Sequence, residues 1–281
     1  MVKAVNTAVH GQHVIITGGS SGIGLATASV LHREGATVSL MARDGERLRR
    51  SIREAGIVAS AFAVDVTDRA ALRQAFHQAR ERHGACDVLV TCAGYAEPGY
   101  VQDIAEDVFA YTMDVDYFGT VWAVRAVLPE MVERGRGVIV GVSSVAGLLG
   151  VYGYTAYAPA KFAVRGFIDA LRMEMKDKGV HVACVYPADV RTPQLDHENR
   201  TKPAETVALS GTIEPIEPER VARAILRGIN RRSDEIFSDR ASPFLARFSQ
   251  VMPGFYRRLC HYRLARYRRR ASATHRRVRC S

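Results

Sequence analysis

A glycine-rich turn joins an apolar run of residues to an amphipathic one near the start of the chain. It spans residues 17–24, between a predicted strand at residues 13–17 and a predicted helix at residues 23–34. Glycine lets the backbone turn sharply and approach a pyrophosphate, and the first turn of a helix offers unpaired N–H groups. The spacing is GxxxGxG rather than GxGxxG, so the interpretation depends on the flanking strand and helix. We predict a dinucleotide site that includes Gly18, Ser20, Ser21, Gly22, Ile23 and Gly24.

Short apolar runs alternate with helical patterns along most of the chain. The predicted strands are residues 13–17, 37–41, 59–64, 88–91, 138–142 and 181–186, with a short final strand at 235–238. Helical periodicity lies between and after them, for example at residues 23–34, 69–83, 162–176 and 217–230. Most of the strands are apolar throughout, as strands covered on both faces must be. The alternation predicts an α/β fold, a Rossmann-type doubly wound parallel sheet with helices on both faces.

The positive charge of the chain is concentrated at its C-terminal end. The formal net charge is +10, yet residues 240–281 hold twelve arginines and no acidic residue, so residues 1–239 carry −2. We therefore predict a single dinucleotide-binding domain at residues 1–239 and a basic, helical tail at residues 240–281. The composition, 47% hydrophobic and 24% charged, argues against general disorder.

The residue after the second predicted strand indicates which dinucleotide binds. Folds that prefer NAD usually place an acid there for the ribose 2′-hydroxyl, whereas Arg43 suits a 2′-phosphate. We therefore predict NADPH as the cofactor, with Ser20 as a second contact to that phosphate. At the end of the third strand, Asp65, followed by Val66, could accept a hydrogen bond from the adenine amine.

A serine, a tyrosine and a lysine form a second candidate site. Tyr157 and Lys161 are four residues apart, so they project from one face of a helix. A free tyrosine has a pKa of about 10, and a neighbouring ammonium lowers that pKa and makes the phenol a usable acid or base. Ser144 follows a predicted strand and could bond the substrate oxygen. This placement predicts proton transfer to or from a substrate oxygen.

Together these motifs resemble the short-chain dehydrogenase/reductase family, over about residues 12–230. The resemblance implies that Tyr157 protonates a carbonyl oxygen as hydride arrives. It implies that Lys161 lowers the pKa of Tyr157 and holds the nicotinamide ribose, and that Ser144 orients the substrate. It also implies cofactor contacts from the residues that match two further family motifs, namely Cys92, Ala93, Gly94, Pro187 and Thr192.

The chain departs from the family pattern at two places. The family's Asn-Ala-Gly motif begins here with Cys92, and its helix-borne asparagine is Asp116. In the family that asparagine uses its backbone carbonyl to hold a water that touches the lysine. A backbone role could survive the substitution, or the carboxylate could bind Lys161 directly and weaken the proton relay. We therefore include Asp116 among the candidate catalytic residues.

Residues 187–215 form a polar segment without clear periodicity, after the sixth predicted strand. Ligands bind at the carboxyl ends of strands in such sheets, so we predict an irregular substrate loop here. Residues 143–150, 162–166 and 198–206 are similar to a subgroup of the family, the 3-ketodihydrosphingosine reductases. The resemblance implies a long-chain ketone lipid as substrate. Its amine would need an acidic partner, for which Asp189, Glu198 and Glu205 are candidates.

Two other functions remain open at this point. One is a reductase of the same mechanism that acts on a steroid, a retinoid or a 3-oxoacyl group. The other is a cofactor-binding scaffold in which Asp116 impairs catalysis. Residues 198–206 could also be a solvated loop without a specific role.

The basic tail predicts an anionic partner. Phe244, Leu245, Phe248, Val251 and Met252 precede Pro253, and Phe255, Leu259 and Tyr262 then share a helical face. A basic helix that carries aromatic residues is typical of an anionic membrane surface. The fit is imperfect, because Arg266 falls on that face and Leu264 lies opposite it. The tail could instead pack on a partner subunit, be disordered over residues 268–281, or bind nucleic acid, which we regard as the weakest alternative.

We expect a cytoplasmic enzyme, with possible peripheral attachment to a membrane. No signal peptide precedes the first strand, and the uncharged stretch at residues 137–160 divides into a strand, a loop and a helix start rather than a membrane span. The five cysteines form no CxxC pair and indicate reduced thiols, with no disulfide and no metal site. The resemblance further implies a homo-oligomer formed through helices within residues 102–134 and 155–177.

Overall fold

A computed structural model describes residues 8–210 and 214–279, with side chains described up to Arg270 except at Ser210. The chain forms a seven-stranded, fully parallel sheet of order β3-β2-β1-β4-β5-β6-β7. The strands are β1 (His13–Thr17), β2 (Thr37–Ala42), β3 (Ala59–Ala63), β4 (Val88–Thr91), β5 (Gly137–Val142), β6 (Val180–Val185) and β7 (Glu235–Ile236). The predicted fold class is confirmed, and each predicted strand is present to within two residues at its ends.

Eleven α-helices are present within the described residues. They are α1 (Gly22–Arg33), α2 (Gly45–Glu54), α3 (Arg69–His83), α4 (Glu106–Met113), α5 (Gly119–Glu133), α6 (Tyr157–Met175), α7 (Pro193–Thr201), α8 (Ala204–Ser210), α9 (Pro218–Arg231), α10 (Ala241–Val251) and α11 (Pro253–Arg279). The buried faces of α1, α2 and α9 pack on one side of the sheet, and those of α3, α5 and α6 on the other. Both faces are therefore covered, as the apolar strands require.

The order in which the chain adds strands to the sheet reverses between β1 and β4. From β1 the chain proceeds outward to β2 and β3, and it returns to β4 on the other side of β1. Ligands of doubly wound sheets bind at the carboxyl ends of the strands beside this switch point. The glycine turn, residues 92–94, Ser144 and Pro187 all follow carboxyl ends of strands, so the topology brings the candidate residues to one edge.

The prediction of an irregular loop at residues 187–215 was wrong for most of its length. This segment forms α7 and α8, and a single parallel bridge joins Val190 to Ile216. α7 begins because the Thr192 hydroxyl accepts a hydrogen bond from the Leu195 N–H at 3.2 Å, and Pro193 stands in the first turn. Periodicity did not reveal α7, since only two of its nine residues are buried. Residues 211–213 lie outside the described part of the chain.

The tail forms α10 and α11. α11 packs against α8, and its half-buried side chains are Tyr256, Cys260, Leu264 and Tyr267. This contact explains why Leu264 lies opposite the predicted apolar face: the helix has a packed side and an exposed one. The backbone is helical as far as Arg279, which differs from the alternative of a disordered segment at residues 268–281. The side chains of Arg276, Arg277 and Arg279, and all of Cys280, lie outside the described residues.

Among the described residues, no helix has the length and apolarity that crossing a bilayer requires. Residues 137–160 divide into β5, a short 3-10 turn at Val145–Gly147 and the start of α6. The four described cysteines, Cys86, Cys92, Cys184 and Cys260, are all free thiols.

Candidate active site

The glycine turn places the start of α1 at the end of β1 and against the end of β4. Gly18 has a φ of +70°, and a Cβ placed there would lie 2.6 Å from the Ala93 nitrogen, so the turn lies against the end of β4. The side chain of Ser21, the N-cap residue of α1, makes no capping hydrogen bond. Its helix therefore keeps unpaired N–H groups, which is what a pyrophosphate needs. On this evidence the turn fits a dinucleotide.

Thr192 lies directly over this turn. A Cβ at Gly22, where φ is +54°, would lie 2.9 Å from the Thr192 Cγ2. The segment that follows β6 therefore contacts the start of α1, as a segment that closes over a dinucleotide would. The segment after β6 also contacts the segment after β5, because the Pro187 carbonyl accepts a hydrogen bond from the Val145 N–H at 3.0 Å.

Arg43 and Asp65 stand side by side at the ends of β2 and β3. The Arg43 Nε lies 3.9 Å from the Asp65 Oδ2, and an Arg43 N–H also donates to the Tyr111 hydroxyl. The other Asp65 oxygen accepts hydrogen bonds from the N–H and hydroxyl of Thr67, both at 2.9 Å. Arg43 is largely exposed, so its guanidinium can meet a phosphate from solvent. The carbonyl of Ser20 accepts a hydrogen bond from the Ser51 hydroxyl, which fixes the turn to α2.

Two residues of the cofactor set are held mainly by packing. Val66 is buried against the start of α5, where a Cβ at Gly119 would lie 2.7 Å from the Val66 Cγ2. Burial raises the pKa of the Cys92 thiol to about 12, so the thiol is neutral at physiological pH. Cys92 is therefore no nucleophile.

Ser144, Tyr157 and Lys161 meet beyond the end of β5. Ser144 caps the following 3-10 turn, its hydroxyl oxygen accepting from the Ala146 N–H at 3.1 Å. Tyr157 opens α6, and Lys161 follows one turn later with its Nζ 5.4 Å from the centre of the Tyr157 ring. The Lys161 Nζ also donates to the Val142 carbonyl at 3.3 Å. Tyr157 and Lys161 are both buried, so the pair is shielded from water.

Asp116 pairs directly with Lys161. Its Oδ1 lies 3.4 Å from the Lys161 Nζ and accepts a hydrogen bond from the Tyr95 N–H at 3.0 Å. Its backbone carbonyl accepts from the Thr120 hydroxyl at 2.8 Å. Asp116 lies in a π-helical turn, Asp114–Phe118, a feature frequent at functional sites. Gly94 leaves the room for this pair, since a Cβ there would lie 2.9 Å from the Asp116 Oδ1.

The second oxygen of Asp116 is buried and has no hydrogen-bond partner among the described residues. Burial raises the pKa of Asp116 to about 6, although the ammonium of Lys161 opposes that rise. A buried carboxylate that lacks a partner is disfavoured in its charged form, which is the physical cause of the shift.

The pKa of Tyr157 is shifted upward, not downward as predicted. Burial has the largest effect on this pKa, followed by the negative charges of Asp116 and Glu198, while a hydrogen bond with Ser144 opposes the rise. The ammonium of Lys161 is already paired with Asp116, so its charge is largely compensated. Tyr157 is therefore a protonated phenol at neutral pH.

Glu198 on α7 lies at the centre of a buried polar cluster. The Tyr154 hydroxyl donates to the Glu198 Oε2 at 2.5 Å, and the Gln194 amide donates to the Oε1 at 2.9 Å. The Lys202 Nζ lies 3.7 Å from Glu198 and 3.6 Å from Asp189, and only 8% of the Lys202 side chain is exposed. The same ammonium lies 5.8 Å from the centre of the Tyr154 ring. This cluster already holds one largely buried ammonium group, that of Lys202.

The cluster lies beside Tyr157. The rings of Tyr154 and Tyr157 have centroids 5.8 Å apart. Glu205, the third acidic candidate, is directed elsewhere: it accepts from the Tyr100 hydroxyl at 2.7 Å and lies 3.7 Å from Arg268. As a partner for the amine of the substrate, Glu198, with Asp189 beside it, is therefore a better candidate than Glu205.

Sequence reasoning missed Tyr111, Tyr154, Gln194 and Lys202. Tyr154 is three residues before Tyr157 and gave no pattern of its own. Gln194, Glu198 and Lys202 recur every four residues, which is the spacing of one helical face, and that signal was available once α7 was known to be a helix.

Comparison with known proteins agrees with this geometry. Residues 12–203 match the model of a family described as short chain dehydrogenase. The 3-dehydrosphinganine reductase of Danio rerio is 41% identical over 227 residues, which are 78% of this chain and 68% of that protein. The 3-ketodihydrosphingosine reductase of Dictyostelium discoideum is 36% identical over 275 residues, covering 90% of this chain and 82% of that protein. A solved structure of a variant actinorhodin polyketide ketoreductase with NADPH matches with a TM-score of 0.73 at 28% identity, covering 80% of this chain and 95% of that chain.

Proposed function

This chain belongs to the short-chain dehydrogenase family and is an oxidoreductase with a nicotinamide cofactor, and from this premise we propose that it reduces the ketone of 3-ketodihydrosphingosine with NADPH. The product is dihydrosphingosine, an intermediate of sphingolipid biosynthesis. One observation carries the substrate assignment: relatives at 36–41% identity bear the name of this reductase, and their match extends over most of this chain.

Tyr157 is the proton donor of the proposed reaction. When bound, the nicotinamide ring supplies a hydride to the ketone carbon. Tyr157 gives its phenolic proton to the ketone oxygen, and the Ser144 hydroxyl orients that oxygen by a hydrogen bond. The raised pKa of Tyr157 keeps the phenol protonated at neutral pH, which suits reduction of a ketone better than oxidation of an alcohol.

Lys161 stabilises the charge that this step leaves on Tyr157. Its ammonium lies close to the Tyr157 ring and is held by Asp116 and the Val142 carbonyl. In the proposed complex it also bonds the nicotinamide ribose. Asp116 positions Lys161, and its own negative charge makes Tyr157 a weaker acid.

Arg43 supports NADPH over NADH. Its guanidinium is exposed at the end of β2 beside Asp65, where the 2′-phosphate of the adenosine ribose would lie. Ser20 would supply a second phosphate contact. Asp65 and Val66 would hold the adenine, residues 92–94 would contact the nicotinamide ribose, and Pro187 and Thr192 would contact the nicotinamide.

Glu198 receives the ammonium of the substrate. In an aminoketone the nitrogen is on the carbon next to the carbonyl, so a substrate held by Tyr157 presents its ammonium a few ångströms away. The Glu198 carboxylate bonds Tyr154, whose ring neighbours that of Tyr157. The ammonium of Lys202 already lies between Glu198 and Asp189. The same two carboxylates can therefore hold the substrate ammonium when it replaces that of Lys202.

The test is NADPH oxidation by the purified protein with 3-ketodihydrosphingosine in mixed micelles, beside a steroid ketone, a retinal and a 3-oxoacyl thioester. We expect selective turnover of the sphingoid ketone, and a kcat/KM at least about tenfold higher with NADPH than with NADH. Preference for one of the other ketones would reject the substrate, and equal use of NADH would reject the role of Arg43.

A further inference from the structure

Six large apolar side chains of the two tail helices and their junction are exposed and form a strip that we call the tail surface. They are Phe244, Val251, Met252, Phe255, Leu259 and Tyr262. Half-buried Phe248 makes the strip continuous, because its ring centroid lies 6.4 Å from that of Phe244 and 5.8 Å from that of Phe255. An exposed apolar strip of this length is typical of a binding surface.

The tail surface is separate from the face that holds the tail in place. The half-buried side chains of α11 lie on one side of the helix, which packs against α8, whereas Phe255, Leu259 and Tyr262 project from another side. The strip therefore lies on a different side of α11 from its half-buried residues.

Positive charge surrounds the strip. Helical spacing places Arg258 and Arg263 on its two sides and Arg266 at its end, and all three are exposed. Residues 240–281 contain no acidic residue to neutralise them. Apolar residues flanked by arginines match a bilayer surface, where the apolar side chains enter the acyl boundary and the guanidinium groups reach the phosphates.

The other side of α11 contacts the substrate side of the active site. An Arg268 N–H donates to the Tyr152 hydroxyl at 3.3 Å, and the Thr206 hydroxyl of α8 donates to the Tyr152 carbonyl at 2.8 Å. Two residues later, Tyr154 lies against Tyr157. The strip is therefore carried by elements that border the catalytic tyrosine.

We propose that the tail surface docks on an anionic lipid bilayer and so holds the membrane against the helix whose other side borders the substrate side of the enzyme. The arginines select anionic phosphates, and the apolar strip distinguishes a bilayer from nucleic acid, which has no apolar phase for it to enter. That the bilayer also delivers the substrate rests on the proposed function; the docking itself does not.

The test is co-sedimentation of the full chain with phosphatidylglycerol vesicles and with phosphatidylcholine vesicles. We expect binding to the anionic vesicles that weakens as salt is added, and little binding to the zwitterionic ones. Val251 and Val58 provide a matched pair, since they are 80% and 79% exposed and only Val251 belongs to the tail surface. Val251→Asp should reduce vesicle binding by about tenfold, whereas Val58→Asp should not change it.

Equal binding by the two variants would overturn the proposal. So would binding to DNA that exceeds binding to anionic vesicles, or self-association that Val251→Asp abolishes without any vesicle binding. Turnover of a water-soluble ketone should be the same in all three proteins, because Val251 lies outside the catalytic site. Vesicle binding in a protein that does not reduce the sphingoid ketone would reject the proposed function and leave the docking surface intact.

Discussion

At the residue scale, the carboxylate of Asp116 determines the charge balance around Tyr157 and Lys161. Its raised pKa of about 6 corresponds to about 3 kcal/mol of disfavoured ionisation. Near neutral pH it is nevertheless largely ionised, and its charge raises the pKa of Tyr157. The rate of reduction should therefore depend on the protonation of Asp116.

Asp116→Asn should increase the rate and remove this pH dependence. As pH falls through about 6, Asp116 of the native enzyme becomes neutral, so Tyr157 becomes a stronger acid and reduction accelerates. The variant is neutral at every pH and should be about threefold faster above pH 7, without the inflection near pH 6. The measurement is kcat/KM for ketone reduction from pH 5 to 9.

The same profile tests the alternative of an impaired scaffold. A native protein that binds NADPH but reduces no ketone, together with an active Asp116→Asn variant, would show that the carboxylate disables catalysis. An identical inflection in both proteins would show that another group titrates.

The residues that the sequence predicts for this centre lie together in the structure, but their protonation was not predicted. The contact between Asp116 and Lys161 was one of two outcomes considered, and the structure shows it. The upward shift of the Tyr157 pKa was not predicted, because it depends on burial and on the carboxylate of Glu198, which belongs to a helix the sequence did not reveal.

At the element scale, α7 joins the two halves of the site. Its N-terminal Thr192 touches the glycine turn at Gly22, and Glu198, two turns later, lies beside Tyr154. One short helix therefore contacts both the cofactor side and the substrate side.

Glu198→Gln should weaken recognition of the substrate amine. We expect the KM for 3-ketodihydrosphingosine to rise by about tenfold, because a partly buried ion pair is lost, while the KM for its N-acetyl derivative stays unchanged. Asp196→Asn is the matched control, since Asp196 is exposed on the same helix. Equal KM changes for the two ketones would contradict the role of Glu198.

Removal of Glu198 also leaves Lys202 buried without one of its partners. If the single variant is unstable, Glu198→Gln combined with Lys202→Met removes both charges and keeps the site neutral. The double variant should lose the preference for the free amine in the same way.

The regular elements of the sheet were predictable and α7 and α8 were not. Strands buried on both faces are recognisable in a sequence as continuous apolar runs. In contrast, α7 is a short helix with few buried positions, so it shows no clear apolar period. The pair Thr192-Pro193 is typical of a helix start, and it would have predicted where α7 begins.

At the scale of the whole molecule, exposed apolar residues suggest assembly of several copies. Phe118, Phe162 and Met173 are exposed on and beside the two helices, α5 and α6, through which the family resemblance implies an oligomer. We propose a homo-oligomer formed through these helices. Sedimentation equilibrium should show a dimer or tetramer that Met173→Asp shifts toward monomer and Val58→Asp does not; a monomeric native chain would contradict this.

The central claim is that Tyr157 protonates the ketone of a sphingoid base as NADPH reduces it. The most direct measurement is mass-spectrometric detection of dihydrosphingosine after incubation of 3-ketodihydrosphingosine and NADPH with the native protein or with Tyr157→Phe. We predict product from the native protein and at least about a hundredfold less from the variant, at equal NADPH binding. No product from the native protein, or the same amount from both, would contradict the account.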